Sequence, residues 1–248
     1  MKLNDMTMEQ NTTINTSFGY SATRIDELGA SEYTLVTLVV DRSGSISGFE
    51  KDMNNCIKEV VKACQLSPRA DNLMIRLVVF DNELEEIHGF KMLQNCILDD
   101  YSNIVKARNT TALFDAFKTS VDATTNYAKS LADNDFGANA IVVVITDGID
   151  NASKFSTQMC KDSLTTAVKS EALESIRSIL IGVDVNYPSV KAALQEFKDL
   201  TGIDQYEEIE HANAKTLAKL ADFVSKSISA QSQSLGTGGP SKPISLSI

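Results

Sequence analysis

Residues 34–45 have the sequence TLVTLVVDRSGS, in which an apolar run ends in an Asp-x-Ser-x-Ser triplet. Uninterrupted Val, Leu and Thr are typical of a strand that is buried on both faces, as in a parallel sheet. The chain leaves this strand at its carboxyl end, which is where ligands bind in open α/β sheets. Asp41, Ser43 and Ser45 present three hard oxygen groups there, and such groups suit a hard divalent cation such as Mg²⁺.

From Tyr33 onwards, strand and helix patterns alternate along the chain. Further strands are predicted at residues 72–80, 83–93, 140–146, 178–183 and 205–209, and the charges of 83–93 favour a sheet edge. Helices are predicted after Phe49, at 113–131, at about 157–175, from Pro188 to Gly202 and at 217–228. Such repeated units predict an α/β fold, a Rossmann-like three-layer sandwich whose mostly parallel central sheet has helices on both faces.

Periodicity and composition also predict the domain boundaries. Residues 1–30 lack periodicity and are expected to form a flexible N-terminal arm. Residues 31–229 form the predicted domain. Residues 230–248 are rich in Ser, Gly and Pro, which predicts a disordered tail.

Charge and cysteine content exclude several classes of protein. The net charge of -10 and the pI near 4.7 argue against nucleic acid or an anionic membrane as a partner, because both are polyanions. No apolar stretch has the length of a bilayer span, and the polar N-terminus has no signal-like apolar region. The four cysteines show no C-x-x-C pairing, so we expect reduced thiols in a cytoplasmic protein.

Two further stretches place oxygen groups beside the first. Thr111 precedes a predicted helix, and Asp147 follows the strand at 140–146. The carboxyl ends of parallel strands share one edge of a sheet, so these groups can converge. The motifs Asp41-x-Ser43-x-Ser45, Thr111-Ala-Leu-Phe-Asp-Ala and Val-Ile-Thr-Asp147-Gly148 together resemble the metal-ion-dependent adhesion site of von Willebrand factor type A domains. The resemblance covers residues 33–228 and is greatest to the stand-alone bacterial cytosolic members.

The resemblance implies a site for Mg²⁺ (or Mn²⁺; Ca²⁺ stays open). In this family the hydroxyls of Ser43, Ser45 and Thr111 would hold the ion directly, while Asp41 and Asp147 would act mostly through water. Neutral hydroxyls leave the cation's charge poorly compensated, so a Glu or Asp of a partner protein can complete its coordination. The predicted function is a metal-dependent adaptor or scaffold that is not an enzyme.

Other interpretations stay open. Many relatives have paired glycines where this chain has Arg108-Asn109-Thr110, so Thr110 is an alternative ligand to Thr111. A phosphatase of the haloacid dehalogenase type would also place an Asp at this strand end, but it needs a second acid where Ser43 stands. A degenerate domain with purely structural use is the third possibility.

The remaining polar residues near these motifs have simpler interpretations. We expect Asp150 to be a loop or capping acid and Thr146 to be a strand packing residue. His88 and His211 are isolated in polar sequence, which predicts surface positions. Arg42 is expected at the rim of the site, where it would meet an acid of the partner.

Overall fold

The computed structural model describes residues 8–12 and 19–246. Its strands are β1 (Met8–Thr12), β2 (Gly19–Thr23), β3 (Glu32–Asp41), β4 (Leu73–Phe80), β5 (Leu84–Met92), β6 (Gly137–Thr146), β7 (Ile176–Val183) and β8 (Gln205–Ile209). Its α-helices are α1 (Glu50–Gln65), α2 (Leu113–Ala132), α3 (Thr157–Val168), α4 (Pro188–Thr201) and α5 (Ala214–Ser234).

The strands form one sheet in the order β1-β2-β5-β4-β3-β6-β7-β8. Strands β4, β3, β6, β7 and β8 are parallel to one another, whereas β5 is antiparallel to β4. Helices α1 and α5 cover one face of the sheet, and α2, α3 and α4 cover the other. The predicted three-layer α/β sandwich with a mostly parallel sheet is therefore confirmed.

The central position of β3 explains why most of its residues are apolar. Val36, Leu38 and Val40 pack in the core beneath α1 and α5, while Leu35 and Val39 pack in the core beneath α2. Each buried Val or Leu side chain contributes about 1.5–3 kcal/mol relative to an exposed one. A polar residue in this strand would face a helix layer on either side.

The strand predicted at 83–93 exists as β5, but its position at the sheet edge was wrong. Strand β2 lies outside it, and Ala22 is aligned with Phe90. Gly89 permits this approach, because a Cβ atom there would lie 1.7 Å from the Ser21 carbonyl oxygen. The Glu86 carboxylate accepts hydrogen bonds from the Ser21 amide (2.8 Å) and from Arg76 Nε (2.8 Å), so its charge faces protein partners.

Both terminal segments differ from the expected arm and tail. Residues 8–12 and 19–23 are strands, and Tyr127 Oη donates a 2.8 Å hydrogen bond to the Thr23 carbonyl. Helix α5 continues to Ser234, and Ile244 and Leu246 pack against the core beneath α1 and α5. The rest of the expected arm, at 1–7 and 13–18, and residues 247–248 lie outside the described residues.

Two helix ends illustrate where sequence signals succeed and fail. Helix α4 begins at Pro188 and is followed by Gly202 at φ 81°, as predicted, because glycine adopts this left-handed conformation without a Cβ clash. Helix α3 ends at Val168 and does not reach Ser175.

The four cysteines, Cys56, Cys64, Cys96 and Cys160, are buried free thiols. In the part of the chain that the structure describes, no helix has the length and hydropathy needed to cross a bilayer.

Candidate metal centre at the carboxyl edge of the sheet

Aspartates stand at the carboxyl ends of four neighbouring parallel strands. Asp41 is the last residue of β3, and Asp81, Asp147 and Asp184 directly follow β4, β6 and β7. Since the strands are parallel, all four lie at one edge of the sheet. Asp184 is used locally, because its carboxylate accepts hydrogen bonds from the Ala212 amide and the Asn186 side chain.

The loop after β3 is shaped by the buried Asp41 carboxylate. Asp41 Oδ1 accepts a 2.7 Å hydrogen bond from the Ser43 amide, which closes a tight turn. The turn brings Ser43 Oγ to within 3.2 Å of Ser45 Oγ. The Gly44 amide donates to the Asn109 carbonyl (3.0 Å), which joins this loop to the loop that carries Thr111. Ser45 is exposed, so the site is open to solvent.

The loops that carry Thr111 and Asp147 are joined by a second set of hydrogen bonds. The Thr111 amide donates to Asn151 Oδ1 (2.8 Å), and the Asn151 amide donates back to the Thr111 carbonyl (2.9 Å). Ser43 Oγ lies 3.5 Å from Asp147 Oδ1. A Cβ atom on Gly148 would lie 3.6 Å from Thr111 Oγ1 and 3.9 Å from Ser45 Oγ, so both hydroxyls face this glycine.

The structure thus brings Asp41, Ser43, Ser45, Thr111 and Asp147 to one place on the sheet edge. Their role as metal ligands stays a prediction. Thr111 is buried in this cluster, whereas Thr110 is exposed. Asn109 has φ 59°, a left-handed conformation that asparagine tolerates better than most residues, and it stands in the segment where many relatives have glycines.

Burial and mutual repulsion act on the two carboxylates of the cluster. Burial, followed by the charge of Asp147, raises the pKa of Asp41 to about 7. Burial also raises the pKa of Asp147, and the charge of Asp184 adds to the effect. A buried Asp41 and a half-buried Asp147 that both disfavour their charged forms are the arrangement that a bound cation would stabilise.

Thr146 does more than pack in its strand, which is the role that the sequence predicts for it. Thr146 Oγ1 donates a 2.5 Å hydrogen bond to Asp41 Oδ2, and it accepts a 3.2 Å bond from the Gly148 amide. It therefore fixes the Asp41 carboxylate from the neighbouring strand. A hydroxyl at the end of the apolar run Ile-Val-Val-Val-Ile is a signal for such a contact, since a buried hydroxyl needs a partner.

The interpretation of Arg42 as a rim residue was wrong. Its side chain is buried, and Arg42 Nε donates a 3.1 Å hydrogen bond to Asp81 Oδ2 while Nη1 pairs with Glu85. Arg108 also pairs with Asp81. Burial alone would raise the pKa of Asp81, but the Glu83 amide and the two arginines hold it below its usual range. Arg42 therefore stabilises the base of the loop.

The other side-chain interpretations had mixed outcomes. His88 is buried, not at the surface: Nδ1 lies 2.9 Å from the Gly89 carbonyl and Nε2 lies 2.9 Å from Tyr101 Oη. His211 is exposed, as predicted. Asp150 is confirmed as a capping acid, because its carboxylate accepts from the Phe114 amide at the start of α2 and from Ser153 Oγ.

The chemistry of the donor set fits a hard cation. In residues 8–12 and 19–246, no group of three or more His, Cys, Asp or Glu side chains is arranged to hold a metal. The cluster has two carboxylates and three hydroxyls, so its capacity for a cation depends on Ser43, Ser45 and Thr111. Oxygen-only donors favour Mg²⁺, Mn²⁺ or Ca²⁺ over softer ions.

Comparison with known proteins identifies the family. Residues 36–230 match the family model described as von Willebrand factor type A domain. No curated protein sequence matches the chain.

Several solved structures have a similar fold. They include the pilus adhesin SpaC of Lactobacillus rhamnosus GG (TM-score 0.63, 11% identity, 90% of this chain and 34% of the adhesin covered). Proximal thread matrix protein 1 of the mussel byssus, with a zinc-occupied MIDAS motif, has TM-score 0.51 and 14% identity over 79% of this chain and 46% of that protein. The ArnB paralog VWA2 of Sulfolobus acidocaldarius has TM-score 0.52 and 12% identity over 89% of this chain and 53% of that one. This chain spans only about a third to a half of their lengths.

Proposed function

This chain belongs to the von Willebrand factor type A domain family, and we propose that it is a metal-dependent protein-interaction module of the adaptor or scaffold type. The observation that carries the proposal is the cluster of two carboxylates and three hydroxyls at an open sheet edge. Within it, Ser43 Oγ lies 3.2 Å from Ser45 Oγ and 3.5 Å from Asp147 Oδ1. Members of this family commonly mediate protein–protein contacts, which supports the same conclusion.

In this proposal Ser43, Ser45 and Thr111 would hold Mg²⁺ or Mn²⁺ directly, and Asp41 and Asp147 would hold it mostly through water. When bound, the ion supplies a positive centre that attracts a Glu or Asp side chain of the partner. The net charge of -10 supports a role for such a centre, because the negative charge of the chain disfavours the approach of an acidic partner group. Zinc in the MIDAS motif of the mussel protein supports a divalent ion at such a site.

The chain's own residues prepare this site before any ion arrives. Asp41 folds the serine loop through the Ser43 amide, and Thr146 fixes the Asp41 carboxylate. Asn151 fixes the backbone of Thr111. A proton donor for phosphoester chemistry would be needed two residues after Asp41, where Ser43 stands, so we propose binding without turnover.

The test is capture of partners from a lysate of the source cells by the tagged full chain, in Mg²⁺ or in EDTA. Proteins retained in Mg²⁺ should be released by EDTA and should be absent with Asp41→Asn. The control is Asp122→Asn, whose carboxylate pairs with Lys118 on α2. Partners that bind equally well with EDTA and to Asp41→Asn would contradict the proposal.

A further inference from the structure

An apolar groove of about 280 Å³ lies between the start of α2, the loop after β6 and helix α4. Its floor is formed by buried side chains that include Leu113, Leu194 and Phe197. The groove is smaller than the roughly 300–1,000 Å³ of sites that hold drug-sized ligands. It therefore has room for one or two side chains of a partner.

Aromatic stacking holds the floor of the groove in place. The rings of Phe114 and Phe197 are stacked with centroids 4.8 Å apart, and Phe117 meets Phe197 edge-on at 5.7 Å. The two walls carry apolar side chains that water reaches, since Ile149 is 43% exposed and Leu200 is 48% exposed. Covering these side chains with an apolar group of a partner would be favourable.

Two chain segments lead from the cluster of proposed metal ligands to the groove. Leu113 is two residues after Thr111, and Ile149 is two residues after Asp147. Two residues span at most about 7 Å, so the Cα atom of Leu113 lies within that distance of Thr111 Cα, and Ile149 Cα lies within it of Asp147 Cα. An extended peptide advances about 3.3 Å per residue and would cover the same distance in two or three residues.

Charge restricts the occupant further. The exposed carboxylate of Glu196 stands at the groove, so a second acidic group of the partner would be repelled there. Asp150, also at the groove, has its carboxylate engaged by the Phe114 amide and by Ser153. The favourable occupant thus brings one acid to the cluster and a neutral apolar side chain to the groove.

From these observations we infer that the partner is recognised through an extended segment in which a Glu or Asp lies two or three positions from a large apolar residue. The acid binds at the metal, and the apolar side chain enters the groove. This inference rests on the proposed metal-dependent function, and it adds the sequence specificity of that same site.

The test uses a library of short displayed peptides with a fixed central glutamate, selected on the full chain in millimolar Mg²⁺. We expect enrichment of Leu, Ile, Phe or Met two or three positions from the glutamate. Leu200→Ser should bind the selected peptides about tenfold more weakly, which corresponds to about 1.4 kcal/mol. Leu66→Ser, at a leucine that is 80% exposed and belongs to a different surface, is the matched control and should bind normally.

The outcomes separate the two proposals. Peptides that bind only with Mg²⁺ but show no apolar preference, or that bind Leu200→Ser as well as the parent chain, would overturn the groove inference and leave the metal-dependent function standing. Apolar peptides that bind without glutamate or Mg²⁺ would also overturn it. If no peptide shows Mg²⁺-dependent binding, the proposed function itself fails, and the inference fails with it.

Discussion

Thr146 Oγ1 donates a 2.5 Å hydrogen bond to Asp41 Oδ2, across two neighbouring strands and 105 positions of sequence. The bond orients a fully buried carboxylate whose other oxygen accepts from the Ser43 amide. Thr146 is therefore a positioning residue. It is not one of the proposed metal ligands, but it determines where the Asp41 carboxylate lies.

Thr146→Val keeps the shape of the side chain and removes this hydrogen bond. We expect the free energy of unfolding to fall by about 1–3 kcal/mol, the usual range for a buried hydrogen bond to an ionisable group. Mg²⁺ affinity should fall as well, because Asp41 Oδ2 loses the bond that orients it. Urea titration and calorimetric Mg²⁺ titration measure the two effects. Thr146→Ser, which retains the hydroxyl, should recover both, and equal behaviour of the Val and Ser variants would disprove the assignment.

Thr111 and Thr110 provide a matched pair for the proposed ligand set. In the parent chain, Mg²⁺ at about 100 times its Kd should add about 2.7 kcal/mol to the free energy of unfolding. Thr111→Val should abolish this gain, because its hydroxyl faces Gly148 and the serine loop. Thr110→Val, at an exposed residue, should keep it. Thermal melts with Mg²⁺ and with EDTA give the comparison, and the reverse pattern would identify Thr110 as the ligand.

Arg42→Met tests the buried ion pair at the base of the serine loop. The substitution leaves Asp81 buried with only the half-exposed Arg108 beside it, so we expect a loss of about 3–5 kcal/mol in unfolding free energy. Arg108→Met should cost less than Arg42→Met, because the Arg108 side chain is half-exposed and Arg42 still pairs with Asp81. Chemical denaturation measures both. A stable Arg42→Met protein that fails only in partner binding would restore the rim role that the sequence indicated.

His88 should make stability depend on pH. Burial is the main cause that lowers its pKa from 6.5 to about 4, so the folded state keeps the imidazole neutral where the unfolded state takes up a proton. The Gly89 carbonyl can only accept, which places the proton of the neutral ring on Nδ1 and leaves Nε2 to accept from Tyr101. Stability is fully present above pH 6.5 and decreases as pH falls towards 4, by about 3 kcal/mol in total.

Replacing His88 by Gln should remove this part of the pH dependence. The free energy of unfolding of His88→Gln, measured by urea titration across the same pH range, should fall less steeply than that of the parent chain. His211→Gln, at an exposed histidine, is the control for loss of an imidazole. Parallel pH profiles for His88→Gln and the parent chain would contradict a neutral buried His88.

The fold could be predicted from sequence because strands buried on both faces have a composition that surface segments lack. The strands β3 and β6 are rich in Val, Leu and Ile, and their ends place Asp41 and Asp147 at one edge. Parallel pairing alone then brings the cluster together, without any knowledge of distances.

The errors concern residues whose partners are distant in sequence. His88 is isolated in polar sequence, which predicts a surface position, and Arg42 is expected at the rim of the site. In the folded protein, Tyr101 contacts His88 and Asp81 binds Arg42. The pair of Arg42 and Asp81 had a signal, since the end of β3 is aligned with the end of β4. Strand β2 is short. The Glu86 carboxylate binds its Ser21 amide, and the missing side chain of Gly89 lets its backbone approach β5. Hydrophobic periodicity can indicate neither of these contacts.

The C-terminal segment has a practical consequence for shortening the protein. The amides of Gly236 and Gly238 bind the carboxylate of Glu174, and the Gln205 side chain donates to the Ile244 carbonyl. A truncation at residue 230, where the composition changes, would cut inside the last helix and remove these attachments. The shortened protein would expose apolar side chains of the core that Ile244 and Leu246 cover, and we expect it to aggregate on purification. Any shortened version should therefore keep the residues up to 246.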